Sequence, residues 1–327
     1  MTINNKDEKE QILLTGCAGF VGFHTARALL ERGDIIVGVD NFNDYYDPKL
    51  KAARARILNK YPKFRLYRGG IENRRLMNRV FKENRIEKVC HLAAQAGVRY
   101  SLINSYLYIR SNIVGFANII GAARQNKIEN FVYASSSSVY GNNKKIPFSV
   151  EDPVNQPISL YAATKRADEL MAYTYHHLYG LNCTGLRLFT VYGPWGRPDM
   201  AYFTFTRDIL AGKTIKVFNH GRMKRDFTYI DDIVSGIVAS IDKPMPYEIF
   251  NLGNNRPITL EMMINSIEKA LGKKAKKKYL PMQPGDVSST YADISKSRKV
   301  LNFQPKTVFG EGIIKFIEWY KEYYRVK

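Results

Sequence analysis

The hydrophobic positions fall into short solid runs separated by longer amphipathic stretches. Ile12-Leu13-Leu14-Thr15 is an apolar run that ends in a glycine loop. Phe20 to Arg32 has helical spacing, with Val21, Ala28, Leu29 and Leu30 apolar and Gly33 as the stop. Ile35 to Val39 reads as a second buried strand ending at Asp40. Asn41 to Asn59 reads as a polar loop and helix, and Phe64 to Tyr67 as a third strand. The same alternation predicts a helix over Glu72–Glu83 and a strand over Lys88–Leu92. A long helix over Tyr106–Asn126 and a strand over Asn130–Ser135 follow. A helix over Leu160–Tyr179 and a sixth strand over Asn182–Phe189 complete the series. Solid apolar strands between helices imply a parallel sheet covered on both faces. The expected fold is α/β and doubly wound, with ligands at the C-terminal strand ends.

After Leu188 the rhythm changes at Gly193-Pro194-Trp195-Gly196-Arg197-Pro198. Residues 189–327 are therefore expected to form a smaller substrate lobe on the main domain of residues 1–188. Residues 225–245, with a helix over Asp231–Ile241, would return to the main domain. No internal repeat or low-complexity segment is visible. At 45% hydrophobic and 24% charged residues the chain has ordinary globular composition, which rules out disorder or a coiled coil as the main state. Fifty Lys and Arg against thirty Asp and Glu leave +20, which suits an anionic partner as well as it suits a merely solvated basic surface. The densest cluster, Lys273-Lys274-Ala275-Lys276-Lys277-Lys278, contains no aromatic residue. It reads as a turn after a helix, not a nucleic-acid groove. Cys17, Cys90 and Cys183 lie far apart in apolar segments without disulfide or metal spacing, so a reducing, cytoplasmic location is expected. No membrane segment is expected either. Cys90, Cys183 and His91 read as packed strand residues, and His176-His177 as helix surface.

Chemistry enters at the first glycine loop. Gly16, Gly19 and Gly22 stand between the first strand and first helix, where glycine lets the backbone approach a pyrophosphate at the helix N-terminus. Asp40 ends the next strand, where an acid takes adenosine ribose hydroxyls and repels a 2′-phosphate. A plain loop and a turn cap would explain either feature alone. Together they predict a Rossmann-type NAD site. Tyr161 and Lys165 are four apart on one helix face. A phenol is a poor base at neutral pH, and a neighbouring ammonium favours the phenolate. Such a pair is otherwise ordinary helix surface. It gains meaning from Ser135-Ser136-Ser137-Ser138-Val139-Tyr140-Gly141, whose hydroxyls end the fifth strand.

These residues, with His91-Leu92-Ala93-Ala94, Asn112 and Arg225-Asp226-Phe227, resemble the extended short-chain dehydrogenases/reductases, the NAD-dependent epimerases and dehydratases that act on nucleotide sugars. The likeness runs from about Ile12 to Tyr324. It is nearest to the UDP-glucuronate 4-epimerases, on Asn41-Phe42-Asn43-Asp44-Tyr45-Tyr46-Asp47, Gln95 to Ser101, Gly193 to Met200, Phe218-Asn219-His220-Gly221 and Pro281 to Val287. The resemblance implies Ser136 as the catalytic hydroxyl, Tyr161 as base and Lys165 as its partner. It implies Gly16, Gly19, Phe20, Val21, Asp40, Asn41, Ala93 and Asn112 along NAD, with Tyr161 and Lys165. Ser137, Ser138 and Thr190 would face the UDP-sugar, and Arg225 and Asp286 its UDP end. One departure concerns the cofactor. The family carries Gly-Asp after the third strand, the Asp near the adenine, whereas this chain has Gly69-Gly70. Ile71 backbone or Glu72 would have to substitute.

The expected reaction is reversible conversion of UDP-glucuronate to UDP-galacturonate through a 4-keto sugar. Related dehydratases and decarboxylases carry an acid at the position of Ser137, so elimination is disfavoured here. Arg99 and Arg197 fall nearest the expected sugar carboxylate, although either could instead pair with an acid such as Asp199. Other readings are 4-epimerisation of UDP-glucose or another neutral UDP-hexose, and a non-catalytic NAD-binding or RNA-associated protein. The resemblance also implies a homodimer through the helices over Tyr106–Asn126 and Leu160–Tyr179.

Overall fold

The computed structural model describes residues 11–282 and 288–326. The chain begins β1 (Gln11–Thr15), α1 (Phe20–Arg32), β2 (Ile35–Asp40), α2 (Pro48–Leu58), β3 (Phe64–Arg68), α3 (Arg74–Glu83), β4 (Ile86–His91). It continues with α4 (Ser105–Tyr108), α5 (Gly115–Gln125), β5 (Asn130–Ser136), α6 (Leu160–Tyr179) and β6 (Cys183–Leu188). Punctuation by capping residues matches the sequence pattern. Gly33 ends α1 in the left-handed conformation, its N–H donating to the Leu29 and Leu30 carbonyls. Asp47 caps α2 ahead of Pro48, and Ser159 caps α6 by accepting from Ala162 N.

The long helix expected over Tyr106–Asn126 is instead broken. Between α4 and α5 the residues Ile109–Val114 form a π-helical stretch. That wider turn swings Asn112 inward, where its Oδ1 accepts from Gln95 N and its Nδ2 donates to Gln95 O and Thr164 Oγ1. A 3.6-residue period cannot reveal such an insertion.

The second half contains β7 (Thr190–Tyr192), α7 (Ala201–Leu210), β8 (Thr214–Phe218), β9 (Lys224–Arg225), β10 (Phe227–Tyr229), α8 (Ile230–Asp242), β11 (Tyr247–Leu252), β12 (Ile258–Thr259), α9 (Leu260–Leu271), β13 (Lys276–Leu280), α10 (Ser295–Leu301) and α11 (Phe309–Tyr324). The large sheet has seven parallel strands in the order β11-β6-β5-β4-β1-β2-β3. Its seventh strand, β11, was absent from the expected series because it follows the Pro/Gly loop far along the chain. Side chains alternate between two cores. Ile12 and Leu14 join Phe23 and Leu29 of α1 and Ile233, Ile237 and Ile241 of α8 on one face. Leu13 joins Met77 and Val80 of α3 and Phe116 and Ile119 of α5 on the other. Each such side chain contributes roughly 1.5–3 kcal/mol on burial. α8 and the residues around α10 share the core on one face of this sheet, and β11 is its edge strand.

A third core, with Tyr202, Phe203, Val217, Met263, Ile267 and Phe316, holds α7, α9 and α11 together. Here the basic cluster departs from the expected turn. Lys276–Lys278 open β13, which pairs in parallel with β8. The charges are tolerated in a strand because Lys276 and Lys278 are exposed and Lys277 pairs with Glu261 and Glu268; Lys274, just before the strand, also pairs with Glu268.

Candidate active site

The crevice lies at the C-terminal ends of the sheet strands. Gly16 has φ +73, and a Cβ there would lie 2.8 Å from Ala93 N. A Cβ on Gly22 would lie 2.0 Å from Gly16 O. Glycine is thus required both for the loop to touch the β4 exit and for α1 to start beneath it. Gly19 caps α1 without a side-chain bond, and the first turn carries no acid, so its N–H groups suit an anion. Asp40 Oδ2 accepts from Ala18 N at 3.0 Å and Oδ1 from Phe42 N at 2.8 Å. Asp40 therefore shapes two turns while also lining the crevice, so the two readings of it are compatible. Gly16, Gly19, Phe20, Val21, Asn41, Ala93, Ile71 and Glu72 line the same cavity. These residues fit a dinucleotide: a tight glycine turn, an open helix start and an acid at the ribose position.

At the other end of that cavity stand Ser136, Tyr161 and Lys165. Ser136 closes β5, and its Oγ accepts from Ser138 N at 3.1 Å. Tyr161 sits in the first turn of α6, edge-on to Tyr108 with ring centres 6.1 Å apart. Lys165, one turn on, is buried and donates to Asp168 Oδ2. Burial pushes the Asp168 carboxyl up to about 7, against the pull of Lys165. Ser135 belongs to a different network: its Oγ donates to Glu169, which also accepts two bonds from Arg187 and one from Arg166. Burial would raise Glu169, but Arg187, Ser135 and Arg166 together hold it below the ordinary carboxylate value.

A second cavity, lined by Ser137, Ser138 and Arg225, meets the first. Ser136, Tyr161, Thr190 and Arg197 line both. Arg197 is paired: its Nε donates to Asp199 Oδ1 at 3.0 Å and Nη2 to Oδ2, while Tyr45 donates to the same carboxylate. Two expected residues are not brought into either cavity. Asn112 lies behind Gln95, as described, and the Arg99 guanidinium stacks 5.6 Å from the Phe218 ring centre. Asp286 lies outside the described residues. Arg225 Nη1 donates to the carbonyls of Lys224 and Ser288.

His91 is a core residue, its Nδ1 bonded to Thr15 Oγ1 at 2.7 Å, and burial with Lys165 nearby brings its imidazole down to about 3. Cys17, Cys90 and Cys183 are buried free thiols. His177 is exposed and His176 half-buried against Leu181 O. Two important residues carry no motif. Arg54 is fully buried and donates to Ala18 O, Tyr46 OH and Trp195 O, tying the glycine loop, the 41–47 loop and the Pro/Gly loop together. Asp168 had a usable signal, being seven residues from Tyr161 and three from Lys165 on one helix face.

A crevice of this kind defines a doubly wound, dinucleotide-dependent enzyme with a second cavity opening beside the cofactor crevice. The sequence matches the model of the NAD dependent epimerase/dehydratase family over residues 12–253, and the chain belongs to that family. It is 49% identical to UDP-glucuronate 4-epimerase 4 of Arabidopsis thaliana over 331 residues, covering 96% of this chain and 76% of that one. The structure of UDP-glucuronic acid 4-epimerase from Bacillus cereus, in complex with UDP-glucuronic acid and NAD, superposes with a TM-score of 0.90 at 34% identity, over 96% of this chain and 100% of that one. UDP-glucose 4-epimerase from Thermotoga maritima, with UDP-glucose, gives 0.88 at 30% identity, over 96% and 99%. No helix among the described residues is long and apolar enough to cross a membrane.

Proposed function

We propose that this protein interconverts UDP-glucuronate and UDP-galacturonate by NAD-dependent epimerisation at C4. The observation that carries the reading is the meeting of the two cavities at Ser136, Tyr161, Thr190 and Arg197, one lined by the glycine loop and Asp40, the other by Ser137, Ser138 and Arg225. The Arabidopsis and Bacillus relatives, whose names give this activity, support it. NAD, when bound, supplies a hydride acceptor that returns what it takes. Gly16, Gly19, Phe20, Val21, Asp40, Asn41 and Ala93 hold it, with Asn112 fixing the Gln95 backbone at the wall. Tyr161 takes the proton from the sugar O4 and later gives it back. Ser136 hydrogen-bonds that oxygen, and Lys165 supplies positive charge behind Tyr161. Ser137 and Ser138 bring no carboxyl to the sugar, so nothing there promotes elimination. Arg197 orients the uronate carboxylate, and Asp199 takes only two of its five donors. Arg225 and Asp286 hold the UDP end, and Arg99 acts from the rim.

The Thermotoga neighbour, in its complex with UDP-glucose, favours a second reading, 4-epimerisation of a neutral UDP-hexose. Incubating the purified protein with each sugar and following products by NMR separates the two. UDP-galacturonate should form from UDP-glucuronate, with UDP-glucose left unchanged. Turnover of UDP-glucose alone would establish the second reading.

The protein acts as a cytoplasmic homodimer in this reading. Three buried free thiols suit a reducing compartment. Leu102, Ile103 and Tyr106 before and in α4 are 68%, 80% and 73% exposed, and Leu170, Tyr173 and Leu178 of α6 are exposed as well. A second copy pairing these helices would cover that apolar surface. Sedimentation should give twice the chain mass, and a monomer at micromolar concentration would exclude it.

A further inference from the structure

The Pro/Gly loop that carries Arg197 is fixed from the cofactor side of the crevice by a buried cation. Arg54, in the middle of α2, is fully buried and lies behind the walls of both cavities. Its Nη1 donates to Ala18 O at 2.9 Å and Tyr46 OH at 2.8 Å, and its Nη2 to Trp195 O, with Gly196 O at 3.5 Å. Ala18 is gripped from its other end as well, its N–H donating to Asp40 Oδ2. All four acceptors of Arg54 are neutral oxygens. Burying a charge without a counter-ion on it costs stability, so stability alone does not account for a guanidinium here. What it supplies is direction, because its donors leave a rigid plane along fixed lines.

Beyond Trp195 the loop has little freedom. Trp195 holds a left-handed backbone at φ +60, which a side chain disfavours. Gly196 is packed so closely that a Cβ there would lie 2.1 Å from Tyr202 OH. Arg197 comes next, and its partner Asp199 also accepts from Tyr45 OH at 3.1 Å. Ahead of Trp195, Pro194 O accepts from His24 Nε2 at 2.9 Å, and burial brings that imidazole down to about 3, so it stays neutral. A displacement of Trp195 is therefore passed on to Arg197, not absorbed between them. We propose that Arg54 is a positioning residue for the sugar carboxylate: by setting the Trp195–Arg197 segment against the glycine loop it aims the Arg197 guanidinium, and thereby sets the preference for a uronate over a neutral hexose. The inference rests on the uronate reading above.

The test measures binding of UDP-glucuronate and UDP-glucose by calorimetry at saturating NAD, in wild type, Arg54→Lys and Tyr46→Phe. Lysine keeps the charge but cannot reach three loops at once. Arg54→Lys should weaken UDP-glucuronate by about 10-fold, the scale of one misaligned hydrogen bond to a charged group, and leave UDP-glucose almost unchanged. Tyr46→Phe deletes only the hydroxyl of a half-buried ring, so it keeps the fold even if Arg54→Lys does not. It should show the same selective loss at about two- to fivefold. The chain has two tryptophans, Trp195 and Trp319, with ring centres 5.3 Å apart, so intrinsic fluorescence reads this loop directly. Its emission should shift in Arg54→Lys. Equal losses for both sugars, an unchanged ratio in both variants or an unchanged emission would each make Arg54 a scaffold residue and leave the uronate reading standing. A wild type that binds both sugars equally would overturn that reading and the proposal together.

Discussion

Lys165 donates to Asp168 across 2.6 Å, with the two side chains 2% and 1% exposed. The ammonium placed behind Tyr161 is therefore already balanced by a buried anion on its own helix. Asp168 Oδ1 has no partner, so the carboxylate is only half satisfied by the pair. Ion pairs of this kind seldom add net stability, because desolvation offsets the attraction. Asp168 is better understood as holding Lys165 in place.

That arrangement leaves a mark on stability against pH. Burial raises Asp168 from an ordinary 3.8 to about 7. Across that interval the folded chain keeps a proton that the unfolded chain has released. Raising the pH then favours unfolding, and the loss is complete above about pH 7. Asp168→Asn cannot ionise and has no such pH dependence. Whatever constant loss the variant takes from leaving the Lys165 ammonium without a carboxylate, the melting temperature of wild type should fall relative to that of Asp168→Asn between about pH 5 and about pH 8. Melting curves that run parallel over that range would show that Asp168 titrates normally.

Tyr161→Phe keeps the ring against Tyr108 and removes the proton-transferring oxygen. Loss of a general acid–base group lowers turnover about 100- to 10,000-fold. Binding of NAD and UDP-glucuronate should persist by calorimetry. Near-normal kcat would remove Tyr161 from the role of base.

Asp40→Ala should weaken NAD by roughly tenfold or more, through lost ribose hydrogen bonds and a loosened turn at Ala18 and Phe42. It should also narrow the gap between NAD and NADP, since the charge opposing a 2′-phosphate is gone. A wild-type enzyme that binds NADP as tightly as NAD contradicts this assignment.

Arg197→Ala should weaken UDP-glucuronate by about 10- to 100-fold, since hydrogen bonds to charged groups are each worth roughly 1.5–3 kcal/mol. UDP-glucose, lacking the carboxylate, should bind almost unchanged. Oxidation at C4 makes a β-keto acid, so leaked UDP-pentose should rise as the carboxylate gains freedom. Because Asp199 keeps only Tyr45 as partner in this variant, Asp199→Asn serves as control and should largely keep UDP-glucuronate binding. Equal losses for both sugars would make Arg197 a scaffold residue.

Local periodicity carried much of this structure. The span of α1 and that of α6 follow directly from apolar spacing bounded by Gly33, Ser159 and Gly180. What escaped depends on partners distant in the chain. β11 reads as a strand only once β6 is beside it, and in β13 Lys276 and Lys278 face solvent while Lys277 is matched by Glu261 and Glu268. The crevice was legible where chemistry needs a fixed spacing, as at Gly16, Gly19 and Gly22 or Tyr161 and Lys165. Arg54 was not, because its three carbonyl and hydroxyl partners come from loops 8 to 141 residues away.

In this epimerisation C4 is oxidised and then reduced within one site, the same hydrogen returning on the opposite face. UDP-glucuronate deuterated at C4 tests it directly, with NMR and mass spectrometry of the product formed without added cofactor. The UDP-galacturonate formed should keep its deuterium at C4, in water, over many turnovers. Deuterium washed out to solvent, or found at C5 instead, would contradict it.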